Sequence, residues 1–161
     1  MAKKRITTNA MRMLDKAKIE YETLEYEADE VGDNFGVHTA EKLGLSAAQT
    51  YKTLVVRGDK HGVMVCCIPA DRELDLKKIA ACSGNKKAEM IHLKELLPLT
   101  GYIRGGVSPI GMKKDYPTYI DEACKGFEKI AVSAGVCGRS LMMNVCGLLK
   151  FTNARVCDIT K

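Results

Sequence analysis

The chain has 161 residues, with 25 basic against 20 acidic side chains, a net charge of +5, 46% hydrophobic and 28% charged residues. This composition is that of a globular protein of one domain, residues 1–161, and excludes a disordered or fibrous chain. The modest positive charge permits contact with nucleic acid without demanding it.

The apolar runs Leu54–Val56 and Val63–Pro69 fall far short of the roughly 20 residues that span a bilayer. The basic start Met1-Ala-Lys-Lys-Arg5 is followed by polar Thr7, Thr8 and Asn9, where a signal peptide needs its apolar stretch. These features predict a soluble, cytoplasmic protein.

In chain order, Ile6, Ala10, Met13, Leu14 and Ala17 stand at helical spacing and predict a helix over 6–18. Tyr21 to Tyr26 reads as a strand. Asp29 to Gly36, with three acids and two glycines, reads as a loop. Thr39 to Leu43 reads as a short helix stopped at Gly44, and Ser46 to Gln49 has the spacing of a capping box. Lys52 to Val56 and Val63 to Ile68 are the strongest strands, and the polar stretch Gly58 to Gly62 makes them a hairpin. Asp75 caps a helix that ends at Gly84. A short strand near Lys87–Ile91 follows, then a helix carrying Leu93, Leu96 and Leu97 and ended by Pro98. Thr100 to Pro117 is glycine-rich. Tyr119-Ile120 and Ile130–Ser133 read as strands, Asn144 caps a helix over Val145–Phe151, and Val156–Ile159 closes the chain as a strand. A hairpin among interspersed helices predicts an α/β (α+β) domain with a mixed sheet.

The seven cysteines show no Cys-x-x-Cys pair, and no histidine stands at ligand spacing from them. They are expected to be reduced thiols used as small apolar residues, with no metal site. Neither a dinucleotide fingerprint nor a P-loop is present.

The densest chemical signal is Thr100-Gly-Tyr-Ile-Arg-Gly-Gly-Val-Ser-Pro-Ile-Gly111. Gly105 and Gly106 open backbone angles closed to other residues, and Pro109 restricts its own φ and Ser108. Such a loop can hold N–H donors toward an oxyanion; its composition fits an ordinary tight turn equally well. Ser108 does not read as a nucleophile, because the residue after it is Pro109, which has no N–H to give an oxyanion hole. Lys52, at the mouth of an apolar strand, could reach a carbonyl or phosphate, or simply extend to solvent. Ser133-Ala-Gly135 with Gly138 makes a second loop of small residues. The doublets Lys77-Lys78, Lys86-Lys87 and Lys113-Lys114 form a phosphate track only if they share a face. Tyr102 and Tyr116 flank the glycine loop, where they could stack on a base.

Taken together and in order, Tyr51-Lys-Thr-Leu54, Ile68-Pro-Ala70, Leu74-Asp-Leu-Lys-Lys78, Thr100-Gly-Tyr102 and Gly105-Gly-Val-Ser-Pro-Ile-Gly111 before Lys113-Lys114 resemble the YbaK/EbsC family. These proteins are freestanding relatives of the editing domain inserted in bacterial prolyl-tRNA synthetases. The resemblance runs from about Tyr26 through Asn34-Phe-Gly36 to the C-terminal strand. It implies a single editing domain with a strongly curved mixed sheet flanked by helices, and an enzyme that clears mischarged tRNA. The implied substrates are Cys-tRNA(Pro) and Cys-tRNA(Cys), and the implied partners are tRNA(Pro), tRNA(Cys) and prolyl-tRNA synthetase. Editing is needed because a pocket shaped for proline excludes cysteine only weakly.

The resemblance also implies roles for residues. Lys52 would position the terminal adenosine and ester, and N–H groups of Gly105 and Gly106 would stabilise developing charge. Tyr26, Ser108, Pro109, Ser133 and Gly135 would line the substrate pocket. No cofactor, metal or protein nucleophile is expected; the substrate's own thiol would attack its ester. The chain departs from the family at Gly135-Val-Cys-Gly138, where members carry Gly-Lys-Arg-Gly, and at Ser140, where an acidic or polar residue is usual. The competing expectations are an Ala-tRNA(Pro) deacylase and a non-catalytic module that binds tRNA or a synthetase.

Overall fold

The computed structural model describes residues 7–27 and 35–161. Helix α1 (Asn9–Ala17) is capped by Thr8, whose Oγ1 accepts from the Met11 N–H at 3.2 Å. It buries Ala10, Met11 and Leu14; Ile6, also expected in this helix, lies outside the described residues. Strand β1 (Glu22–Glu25) follows. Most of the loop expected over 29–36 lies outside the described residues, but helix α2 (Phe35–Leu43) starts earlier than expected. Val37, Ala40 and Leu43 repeat at helical spacing, which outweighs the helix cost of one glycine.

Strands β2 (Tyr51–Gly58) and β3 (Gly62–Pro69) form the expected hairpin, paired from Tyr51↔Pro69 to Gly58↔Gly62. Its turn is pinned from outside: Asn85 Oδ1 accepts from the N–H groups of Lys60 and His61, both at 2.9 Å. Alternation sorts the hairpin's side chains between two cores. Tyr51, Val55, Val65 and Cys67 pack with α1 residues Met11 and Leu14. Val56, Met64, Cys66 and Ile68 pack with Ile79 and Ile159 on the other face. Burial pushes the Cys66 and Cys67 thiols above their ordinary range, so both stay neutral.

Helix α3 (Leu76–Ser83) is capped as expected. Asp75 Oδ1 accepts from the N–H groups of Lys77 and Lys78, and Gly84 ends the helix at φ +76°. Strand β4 (Ala88–Met90) pairs antiparallel with the far half of β2. Helix α4 (Leu93–Thr100) contains Pro98 rather than ending before it, a correction to the sequence reading. Proline there removes only the bond to the Lys94 carbonyl. The last turn is held by Thr100 Oγ1 donating to the Leu96 carbonyl at 2.7 Å and Gly101 N–H donating to Leu97 at 2.9 Å.

After the irregular stretch 101–117 come β5 (Thr118–Asp121), a 3-10 turn at Glu122–Gly126, β6 (Lys129–Ser133) and β7 (Arg139–Asn144). Helix α5 (Val145–Thr152) is capped by Asn144, and β8 (Arg155–Cys157) runs last. Strand β7 was not anticipated. The strands form two sheets, ordered β4-β2-β3-β5-β8 and β1-β7-β6. The first mixes antiparallel and parallel pairs, as expected for an α+β chain. One parallel bridge, Thr50↔Ala131, joins the sheets.

The expectation of seven free thiols is corrected by a disulfide between Cys82 and Cys157. The partners are 75 residues apart. They meet because the Asp75 N–H donates to the Ile159 carbonyl at 2.8 Å and Leu74 bridges Thr160. Among the described residues, no helix is long and apolar enough to cross a membrane.

Candidate active site

A cavity of about 460 Å³ opens where the two sheets meet. Its geometry starts from the Thr50↔Ala131 bridge. Because that bridge is parallel, the next residues in register are Lys52 on β2 and Ser133 on β6, and both line the cavity. Gln49 reinforces the join: its carbonyl accepts from the Ala131 N–H and its Nε2 donates to the Lys129 carbonyl, each at 3.0 Å. Tyr26, just beyond β1, lines the same cavity; its N–H donates to the Gly138 carbonyl at 3.0 Å, tying it to the small-residue loop. Ser140 on β7 faces both neighbours, paired with Leu24 and Ser133, and also lines the cavity.

Lys52 is half-buried, and its Nζ donates to the Ala70 carbonyl at 3.3 Å. Burial lowers its pKa below that of an ordinary lysine, opposed by the nearby carboxylates of Glu73 and Asp71. The opposite wall is α4, which contributes Leu93 and Leu96. A forked ion pair docks this helix on β2: Arg57 Nη2 lies 3.0 Å from Glu95 Oε1, and Nη1 lies 3.4 Å from Oε2. Glu95 Oε2 also accepts from the His92 N–H at 3.0 Å, closing the helix start.

The glycine loop supplies the third wall through Arg104, Gly105 and Val107. Gly105 takes φ +89°, which side chains rarely adopt. Among the described residues, the Gly105 and Val107 N–H groups have no protein acceptor, whereas the Gly106 N–H is spent on the Ile103 carbonyl at 2.9 Å. The far end of the loop is anchored by Tyr102, whose hydroxyl donates to the Ile110 carbonyl at 2.5 Å. Burial raises this phenol's pKa to about 12.

Of the residues expected at the site, Lys52, Gly105, Tyr26 and Ser133 therefore converge on one cavity. The other four stand behind it. Gly106 is buried with its N–H already bonded; it serves as a spacer, and a Cβ there would lie 3.0 Å from Val136 Cα. Ser108 is fully buried and its Oγ accepts from the Ile110 N–H at 3.2 Å, shaping the turn. Pro109 lines a second cavity on the other side of the loop. Gly135 (φ +100°) packs on Tyr102, where a Cβ would stand 2.8 Å from the ring. Sequence reasoning missed the α4 wall. Its signal was the apolar pair Leu93 and Leu96 at helical spacing, both of which line the cavity.

The arrangement sets an ammonium and a loop with two unspent amide N–H groups on the walls of one cavity, a set suited to a carbonyl oxygen gaining negative charge. Among the described residues no group of three or more His, Cys, Asp or Glu side chains could hold a metal.

Comparison with known proteins is consistent with that chemistry. A family model described as the aminoacyl-tRNA editing domain matches residues 36–151. A protein of Enterococcus faecalis, named as a candidate Cys-tRNA(Pro)/Cys-tRNA(Cys) deacylase, EbsC, is 47% identical over 99% of this chain and 98% of its own length. The Ser/Thr-tRNA deacylase ProXp-y of Escherichia coli is 24% identical over 76% of this chain and 75% of its own. A crystal structure described as a candidate trans-editing enzyme for prolyl tRNA synthetase superposes with a TM-score of 0.81 at 24% identity, over 98% of this chain and 99% of that one. That likeness speaks to fold.

Proposed function

Because the chain belongs to the aminoacyl-tRNA editing domain family, we propose that it is a cytoplasmic trans-editing deacylase, one editing domain over residues 1–161, that clears Cys-tRNA(Pro) and Cys-tRNA(Cys). The observation that carries this reading is the cavity uniting Lys52 with the Gly105 amide, in a chain 47% identical to a relative named for that substrate.

The aminoacyl ester lies with its carbonyl oxygen toward the Gly105 and Val107 N–H groups. Each such donor, aimed at charge that develops only in the transition state, is worth about 10²–10³ in rate. The half-buried Lys52 ammonium adds positive potential in a site partly shielded from water, where charge acts over longer range. Tyr26 and Ser133 shape the floor that receives the amino acid and ribose. Prolyl-tRNA synthetase supplies the mischarged substrate.

The nucleophile is the substrate's own thiol. Its sulfur bonds to the cysteinyl carbonyl carbon, the bond from that carbon to the ribose oxygen breaks, and the thiol proton ends on the ribose hydroxyl. The products are a four-membered cyclic thioester and free tRNA. The protein's part is to fold the ester into the attacking conformation and to stabilise the oxyanion, a gain that positioning alone can make large.

The test is deacylation of Cys-tRNA(Pro), Ala-tRNA(Pro) and Pro-tRNA(Pro) by the wild type and Lys52→Ala. The expected result is rapid loss of the cysteinyl ester alone, slowed at least 10²-fold by the substitution. Equal clearance of the alanyl ester would remove the thiol step, since alanine has no thiol. Turnover of no ester would remove the enzymatic reading altogether.

A further inference from the structure

Among the described residues, the large apolar side chains that stand exposed are Met13, Met90, Leu93, Leu97, Ile103 and Val136. All but Met13 line the Lys52 cavity or stand close in the chain or in space to the α4 and glycine-loop residues that wall it. Met90 and Leu93 line it. Leu97 is one turn beyond Leu93 on the same face of α4. Ile103 precedes the lining residue Arg104. Val136 backs the glycine loop, its Cα 3.0 Å from where a Cβ on Gly106 would stand. These five are 39–62% exposed. Apolar residues scattered singly over a surface carry no message, but a contiguous rim at a cavity mouth marks a contact surface.

The cavity determines what crosses this rim, and here the inference rests on the reading above. An aminoacyl ester held by the Gly105 amide is joined through its alcohol oxygen to the terminal ribose of the RNA. The unpaired nucleotides that precede that ribose must leave the cavity over the mouth. The rim's exposed cations include Arg104, on the cavity, and Lys94, beside Leu93, and the adjoining segment Gly135–Gly138 presents Val136 and Cys137. These cations can meet phosphates, while every base has an apolar face to lay on aliphatic side chains.

We propose that Met90, Leu93, Leu97, Ile103 and Val136 form a stacking platform for the unpaired bases at the 3′ end of the substrate RNA. The platform binds any single-stranded end of this kind, so it contributes affinity without selecting among tRNAs.

The test compares two substrates, Cys-tRNA(Pro) and 3′-O-cysteinyl adenosine, which lacks the upstream nucleotides. The variant is the double substitution Leu97→Ser, Ile103→Ser; both sites are exposed and neither lines the cavity, and a thermal melt verifies that the fold is kept. In single-turnover assays the half-saturating concentration of tRNA is expected to rise about tenfold or more. The maximal rate, and cleavage of the cysteinyl adenosine, should stay at wild-type values. For the wild type, the log of tRNA affinity should fall with the log of salt at a slope of about −1 to −2, as for two or so phosphate contacts. A double variant that leaves tRNA saturation unchanged overturns the platform, as does one that impairs both substrates equally. A variant that loses only binding to prolyl-tRNA synthetase would reassign the rim to a protein partner. If wild-type protein cleaves neither ester, the deacylase reading fails first and the platform with it.

Discussion

Replacing Gly106 by alanine tests whether the glycine loop works by close approach. A Cβ built on Gly106 lies 3.0 Å from Val136 Cα, 3.1 Å from the Cys137 nitrogen and 3.1 Å from the Val136 carbonyl carbon. All three are backbone atoms, so no flexible side-chain tip can move aside. One loop must shift by a few tenths of an ångström, at a cost of the order of 1–3 kcal/mol for an overpacked site. The lost freedom of the unfolded glycine returns about 0.4–1 kcal/mol. The net destabilisation is about 1–2 kcal/mol, which lowers Tm by roughly 2–8 °C in a chain of this size. The same shift displaces the neighbouring Gly105 amide. Since a misplacement of about 1 Å can cost 10²-fold in rate, a smaller one should slow deacylation about tenfold. The assay is single-turnover loss of Cys-tRNA(Pro) alongside a thermal melt. A Gly106→Ala protein with wild-type rate and wild-type Tm would refute the close-packed loop.

Two further outcomes follow from the same site. Burial lowers the Lys52 pKa, so activity that depends on its ammonium should fall, as pH rises, at lower pH than an unperturbed lysine would titrate. Stability moves the other way: between the folded and the higher unfolded pKa the unfolded chain binds more protons, so stability rises with pH across that window. Paired pH profiles of deacylation rate and of Tm check both signs, and Lys52→Met should flatten this window in the Tm profile. Tyr102→Phe removes the hydroxyl that donates to the Ile110 carbonyl. It should cost about 1–2 kcal/mol, read as a drop in the urea midpoint at unchanged slope.

Local chemistry made the hairpin, the Asp75 and Asn144 caps and the stop at Gly84 legible before any coordinates, because each is decided within a few residues. Pro98 misled because a helix can lose one hydrogen bond when the turn beyond it is capped by Thr100 and Gly101. Strand β7 was hidden because Arg139 and Ser140 continue a glycine-punctuated loop, and only pairing with β1 and β6 makes the run through Leu141 a strand. The site was legible in a different sense. Lys52 and the glycine loop stood out by residue type, but Tyr26 and Ser133 came through family resemblance. The bridge that sets Ser133 beside Lys52 joins residues 81 positions apart, and no spacing rule reaches so far. Ser108 and Pro109 fall outside the cavity, Ser108 with its hydroxyl spent on the Ile110 N–H and Pro109 on the second cavity, and residue type alone does not show this.

The Cys82–Cys157 bond encloses most of the second half of the chain in a covalent ring. Helix α4, the glycine loop, β6 and β7 all lie within it, whereas Lys52 and Tyr26 lie outside. The cavity is thus walled partly by a closed circuit and partly by an open strand threaded against it. A backbone cut anywhere in the exposed Ile103–Arg104 tip would open the circuit without releasing a fragment, so the nicked protein would keep every wall of its cavity tethered to the rest.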